Sequence, residues 1–211
     1  MFTRLLLSLS VLGLAACSSG SAPGPAKTSS GFAPVNGQGQ IVGADSPDSS
    51  GGGSAANGDI DKTKAGYAYL TESKGAAVTA RAALINPDVI ANRPVAGTGT
   101  YTAQFQIAEI KNTGASRAVT GVEGTIPLTV QFGTGRVTGR STSTTVPGQS
   151  LEVSGQLADT GAGFTGTTLW RGVEGDLRGR ANKDRIIGAF SGAGPTSVYA
   201  GGFTGTGKTR P

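Results

Sequence analysis

The chain has 211 residues, with 36 glycines, one cysteine, no histidine and a net charge of +5. The absence of histidine and the single cysteine exclude Ser-His-Asp and Cys-His nucleophiles and His or Cys metal sites. The length suits one domain with a tail, and the basic residues are scattered among acidic ones, so we expect no nucleic-acid partner.

The amino end has the pattern of a lipoprotein export signal. Arg4 precedes a short apolar run, residues 5–14, which is too short to span a bilayer stably. The run ends in Leu14-Ala15-Ala16-Cys17, which resembles the lipobox of bacterial lipoprotein precursors. We therefore predict a signal peptide over residues 1–16 and a diacylglycerol-modified, acylated Cys17 that anchors the chain in the membrane. An ordinary signal that leaves Cys17 free is the alternative.

Residues 17–58 are rich in glycine, serine and proline and have no apolar periodicity. Such a composition cannot offset the entropy of ordering, so we predict a flexible tether there. The folded domain is then expected over residues 59–211. At its start, residues 67–70 favour a strand, and residues 75–84 fit either a strand or a short helix, of which we favour the strand.

From Gly97 onward the apolar residues alternate with polar ones, as in half-buried strands. Tyr101, Ala103, Phe105 and Ile107 fall on one face, and the pattern recurs in residues 128–132 and 151–157. Glycine-rich turns separate these runs, and glycines inside the strands favour the tight bends of a closing barrel. We predict an all-β fold, a small soluble antiparallel β-barrel of roughly eight to ten strands. A transmembrane barrel is disfavoured because the strands look short and aromatic girdles are absent.

One motif formally matches a phosphate-binding loop. Residues 202–209, Gly-Phe-Thr-Gly-Thr-Gly-Lys-Thr, fit the spacing G-x-x-x-x-G-K-T. That loop needs a helix after its Lys-Thr pair to hold phosphate. We instead expect residues 202–206 to be the last strand and residues 207–211 to be a frayed end.

The remaining chemistry is sparse, and we predict no enzyme activity and no cofactor or metal. Carboxylates are present, but no spacing places two of them in a shared cleft. They are Asp88, Glu109, Glu123, Glu152, Asp159, Glu174 and Asp176.

Three stretches resemble one family of surface lipoproteins. Residues 128–139 resemble a strand-turn-strand hairpin in the β-barrel domain of transferrin-binding protein B, a barrel type shared with factor H binding protein. Residues 99–101 are similar to that family's first clear barrel strand, and residues 188–203 to its closing motif, with Ser191 in place of a tyrosine. The resemblance covers about residues 60 to 207 and implies a binding scaffold whose members take different ligands.

These observations predict a lipoprotein of the outer membrane, in which the barrel binds a protein or solute partner from the host or the envelope. An envelope-structural lipoprotein without a soluble ligand is the alternative. Since Ser18 is not the aspartate of inner-membrane retention, we expect the outer membrane, and we expect a monomer. Exposed aromatic residues are the candidate partner contacts, although each could equally belong to the core: Tyr67, Tyr69, Trp170 and Tyr199.

Overall fold

A computed structural model describes residues 27–42, 65–74, 77–113, 116–141 and 143–210. The signal peptide, the lipobox and Cys17 lie outside these ranges, so their predicted roles stay predictions. Within the described ranges, no helix is long and apolar enough to cross a membrane. Among the described residues, the strands are interrupted by one turn of 3-10 helix, Pro87–Val89.

Eight antiparallel strands form a closed barrel, which confirms the predicted fold class. Each strand pairs with the next along the chain, and the last pairs with the first over fourteen residue pairs, Thr98 to Lys111 against Arg210 to Ser197. A two-residue strand, β7 (Ser143–Thr144), adds to the outer edge of β5. The barrel strands are β4 (Thr98–Thr113), β5 (Ser116–Gln131), β6 (Arg136–Arg140), β8 (Leu151–Leu157), β9 (Gly163–Trp170), β10 (Val173–Ala181), β11 (Arg185–Ala193) and β12 (Ser197–Arg210).

The two ends of the barrel are named here by a residue in a turn or beside one. The Trp170 end carries the turns at residues 171–172 and 194–196 and the connection over residues 141–150. The Asp159 end carries the turns at residues 132–135, 158–162 and 182–184.

Inward-facing apolar side chains, which alternate along each strand with outward-facing residues, fill the interior of the barrel. Tyr101, Ala103, Phe105 and Ile107 all point inward, as the sequence predicts, and none is more than 3% exposed. They join one cluster of buried apolar side chains drawn from all eight strands. The outward positions of β8 and β9 are mostly polar, with Leu169 as the exposed apolar exception, which differs from the apolar outer band of a membrane-spanning barrel. The predicted shortness of the strands is wrong, since β4 and β5 each have 16 residues.

Glycines inside the strands make room for the interior aromatic rings. Five of the interior rings lie directly across the strand pair from a glycine: Phe164 opposite Gly179, Phe203 opposite Gly188, Tyr199 opposite Gly192, Phe190 opposite Gly201, and Tyr101 opposite Gly207. A Cβ atom on Gly179 would lie 2.1 Å from Cζ of Phe164, and one on Gly188 would lie 2.3 Å from Cζ of Phe203. No side chain fits between such a ring and the backbone opposite it. A large aromatic side chain on one strand therefore requires a glycine at the facing position of the neighbouring strand.

A three-stranded sheet covers one side of the barrel. It has the order β1 (Lys27–Phe32), β3 (Ala77–Ile85) and β2 (Gly66–Lys74), which confirms strands rather than a helix near residues 75–84. Its apolar side chains pack on the outer faces of β4, β11 and β12, and we call that side the covered face. The buried members of this contact are Tyr67, Tyr69, Val78, Ala80, Ala82, Ala108, Ile110, Ala189, Val198 and Ala200.

Strand β1 corrects the predicted tether. It pairs in parallel with β3 from Lys27 to Phe32, and the hydroxyl of Ser191 donates a 3.0 Å hydrogen bond to the carbonyl of Gly31. The Arg178 guanidinium lies 4.3 Å from the centre of the Phe32 ring. Pairing with a neighbouring strand supplies the order that this segment lacks on its own, so residues 27–42 belong to the folded part.

The end of the chain also differs from expectation. Residues 207–210 are not frayed, because β12 continues to Arg210 and pairs with β4. The sequence that resembles a phosphate-binding loop is therefore extended β-structure from Gly202 to Thr209.

Candidate functional site

All four aromatic candidates for partner contact are buried. Tyr67 is 3% exposed, Tyr69 8%, Trp170 1% and Tyr199 0%. The core alternative of the sequence analysis is therefore what the structure shows, and the exposure that direct contact would need is absent.

Tyr67 and Tyr69 hold the small sheet against the covered face. Their rings stack with centroids 6.1 Å apart, and the ring of Tyr67 lies over Gly202, where a Cβ atom would approach it to 2.2 Å. Burial raises the pKa of both phenols. The glycine at position 202 is the sequence signal that marks this contact.

Trp170 closes one end of the barrel together with a buried ion pair. Its Nε1 donates to Glu109 Oε2 at 3.3 Å, and Arg171 Nη1 lies 3.0 Å from the same carboxylate oxygen. The Arg171 guanidinium also stands 5.4 Å from the centre of the Trp170 ring. Arg171 has a left-handed backbone with φ of 49°, followed by Gly172 at 77°, so a two-residue turn aims it back over the barrel.

Tyr199 completes this buried polar group. It faces Glu109 across β12 and β4, and its hydroxyl lies 2.9 Å from the hydroxyl of Thr168. Burial raises the pKa of Tyr199, an effect that the hydrogen bond with Thr168 partly opposes. The Tyr199 hydroxyl pairs with Thr168 and the Glu109 carboxylate accepts from Trp170 and Arg171, so these side chains close the end of the barrel. Arg171 Nε is buried there without a hydrogen-bond partner.

The side of the barrel away from the small sheet carries a grooved surface. Two adjoining grooves of about 680 and 640 Å³ run over β5, β6, β8, β9 and β10, and both are lined by Ser154 and Thr167. We call this surface the open face. Its outward residues are mainly hydroxyl and amide side chains with two arginines: Thr129, Gln131, Arg136, Thr138, Arg140, Ser154, Gln156, Thr165 and Thr167.

The open face also brings two carboxylates together, which the sequence spacing did not predict. Glu152 and Glu174 line the same groove, and Glu152 pairs with Arg140 at 3.5 Å on the surface. Asp88 instead pairs with Arg180 at 2.6 Å. Among the described residues no group of three or more acidic, histidine or cysteine side chains is placed to hold a metal ion.

The fold defines a class of protein, a small filled β-barrel with a side sheet. No family model matches the sequence, and no curated protein matches it. Solved structures do match, among them the intact Ap-TbpB with its N and C lobes, at a TM-score of 0.47 and 13% identity over 69% of this chain and 34% of that one.

Two further solved structures are similar. Transferrin binding protein B from Haemophilus parasuis Hp5 matches at a TM-score of 0.47 and 13% identity, over 70% of this chain and 33% of that one. HpuA from Kingella denitrificans, solved in complex with human haemoglobin, matches at a TM-score of 0.33 and 21% identity, over 55% of this chain and 43% of that one. The chain thus spans about a third of the length of the first two proteins and under half of the third. These structures include the family that the sequence motifs resemble.

The open face was missed in the sequence because its outward residues come from five different strands. Its one usable signal is the pair of short runs of alternating polar residues, Glu152, Ser154 and Gln156 on β8 and Thr165 and Thr167 on β9. Register brings them together, since Ser154 aligns with Thr167.

Proposed function

We propose that the protein is a lipid-anchored, non-catalytic binding protein of the bacterial outer membrane and that its open face holds a protein partner. The observation that carries the proposal is the contrast between the surfaces of the barrel. The interior is filled by side chains, one outer side is buried under the small sheet, and the opposite side is polar and grooved.

The shape and chemistry of the open face favour a polypeptide over an enclosed small molecule. The grooves are shallow and lie across strands, whereas small-molecule sites usually enclose most of the ligand surface. Arg136 and Arg140 supply forked donors in the two grooves, and Leu169, which is 40% exposed, supplies an apolar contact in the groove that Arg140 lines. Arginine with a surrounding polar rim is typical of protein interfaces.

The anchor supports the same function. A diacylated and N-acylated cysteine at position 17 would hold the chain stably at a membrane, since several acyl chains bind far more firmly than one. Only residues 18–26 separate Cys17 from the first strand. A barrel held so close to the membrane is suited to capture a partner at the cell envelope.

Capture from host fluid and from envelope extract tests the proposed site. We expect Ser154→Arg to reduce capture at least tenfold, because this exposed residue lies where the two grooves meet. Thr102→Arg is the matched control, since Thr102 is an exposed outward residue of β4 away from the grooves. Equal capture by both variants would move the site elsewhere, and no capture by the unaltered protein would favour the envelope-structural alternative.

A further inference from the structure

One strand edge of the closed barrel is left without a neighbouring strand in the described part of the chain. β5 pairs with β4 along all 16 residues. On its other side it pairs with β6 only from Leu128 to Gln131 and with β7 only at Gly124 and Thr125. Residues 117–121 therefore form a sheet edge, which we call the β5 edge.

The direction of the backbone groups along the β5 edge follows from two hydrogen bonds. The N–H of Glu123 donates to the Thr145 hydroxyl at 3.2 Å, and the carbonyl of Glu123 accepts from the Thr145 N–H at 2.9 Å. Both groups of Glu123 thus point away from β4. Because successive residues of a strand alternate, Arg117, Val119 and Gly121 also turn their N–H and carbonyl groups outward.

The β5 edge lacks the usual protection against strand addition. Natural edges carry charges, prolines or bulges. The β5 edge has a single charge, Arg117 at its start, and the following residues 118–122, Ala-Val-Thr-Gly-Val, are uncharged and pair with β4 without a bulge. Val119 is 45% exposed, and a Cβ atom on Gly121 would meet nothing within 4 Å. The chain already adds β7 and Thr145 to the adjoining part of this edge, so the geometry accepts another strand.

We propose that the β5 edge binds an extended segment of a partner polypeptide, which adds to β5 as a further strand. Its segment would carry β-branched, uncharged residues opposite Val119 and an acidic residue near Arg117, the one charge of the edge. This site is separate from the open face.

A second copy of the chain fits the edge less well. Antiparallel pairing of two β5 edges would point their Trp170 ends in opposite directions. Strand β1 begins at the Trp170 end. Lys27 aligns with Ala77, the first residue of β3, and Ser73, near the end of β2, accepts a hydrogen bond from Arg117, near the start of β5 at that end. Given the proposed lipid anchor, two copies in one membrane cannot both satisfy that arrangement.

Amide hydrogen exchange of the full lipidated chain in detergent tests the proposal. Before any peptide is added, the N–H groups of Ala118 and Thr120 should be protected by β4, while those of Val119 and Gly121 exchange freely. A capped seven-residue peptide of alternating threonine and valine with one glutamate is the probe. We expect it to slow exchange at Val119 and Gly121 at least tenfold.

Two variants separate strand addition from other binding. Val119→Pro removes an outward N–H without touching the β4 ladder and should abolish the effect of the peptide, whereas Val119→Thr should retain it. If Val119→Pro does not fold, Gly121→Pro makes the same test. Protection of Val119 and Gly121 in the free protein, an unchanged exchange with peptide, equal binding by the proline variant, or a dimer through this edge would each overturn the proposal.

Discussion

At the scale of single residues, the buried ion pair at the Trp170 end makes a direct prediction. Glu109 is 2% exposed and accepts from both Arg171 and Trp170. Glu109→Ala leaves the guanidinium and the indole N–H without their acceptor, and we expect a loss of about 3 kcal/mol in the free energy of unfolding. Glu109→Gln keeps an acceptor for Trp170 and should cost less. Urea unfolding measures both, and an unchanged midpoint for Glu109→Ala would contradict this interpretation.

The tyrosines predict how stability depends on pH. Burial raises the pKa of Tyr101 to about 12 and also raises the pKa values of Tyr67, Tyr69 and Tyr199. A tyrosine in the unfolded chain loses its proton at about pH 10, which is a lower pH than in the folded protein. Above that pH the unfolded state therefore binds fewer protons than the folded state. The contribution of Tyr101 to stability should be constant below about pH 10 and be lost between about pH 10 and 12, and the contributions of the other three tyrosines should also fall above about pH 10.

Ultraviolet titration combined with denaturation at each pH checks this expectation. Tyr101→Phe, which removes one titrating phenol and its hydrogen bond to the carbonyl of Asn182, should make the alkaline loss less steep. Tyrosines that titrate near their ordinary pKa in the folded protein would contradict the burial of these rings.

At the scale of strands, the pairing of rings with glycines predicts which glycines can change. A Cβ atom on Gly179 would lie 2.1 Å from the Phe164 ring and 2.4 Å from the carbonyl oxygen of Ile187. A backbone carbonyl cannot move away from an added methyl group as the end of a flexible side chain can. We therefore expect Gly179→Ala to destabilise the fold by about 3 kcal/mol. Gly163→Ala is the control, because its Cβ would meet nothing within 4 Å. Equal melting temperatures for the two variants would show that the ring does not occupy the space of the missing side chain.

Some strands could be predicted from the sequence and others could not. The alternation of apolar and polar residues correctly predicted that the apolar residues from Tyr101 to Ile107 point inward, because the polarity of each residue indicates which face of the strand it occupies. It could not identify Lys27–Phe32, whose residues Lys-Thr-Ser-Ser-Gly-Phe have no apolar period and depend on β3 for order. Likewise Trp170 and Glu109 are 61 positions apart, and only barrel closure brings them together.

Strand β1 predicts the effect of a shortened chain. A chain that begins at residue 59 keeps the barrel core, which lies between Tyr101 and Phe203, and should fold. It loses six paired residues of β1 and the contact between Phe32 and Arg178, so we expect it to be less stable by about 2 kcal/mol than a chain that begins at Lys27. Thermal melts compare the two, with Phe32→Ala in the longer chain as an intermediate case. Identical melting temperatures would show that residues 27–42 do not stabilise the folded part and belong to the predicted tether.

At the scale of the whole molecule, the start of β1 sets how the barrel would stand on a membrane. Residues 18–26, nine in number, reach at most about 35 Å when fully extended from Cys17. Because β1 begins at the Trp170 end, that end would face the lipid and the Asp159 end would point away. The open face would then stand upright at the side of the barrel, within reach of a partner at the envelope.

Attachment through Cys17 underlies this arrangement, and metabolic labelling with an alkyne fatty acid tests it most directly. The full chain should incorporate the label, because in the proposed maturation the cysteine sulfur would take a diacylglycerol before the signal is removed. Cys17→Ser has no sulfur for the thioether and should remain unlabelled and unprocessed. Labelling of the Cys17→Ser chain at the same level would contradict the lipoprotein assignment.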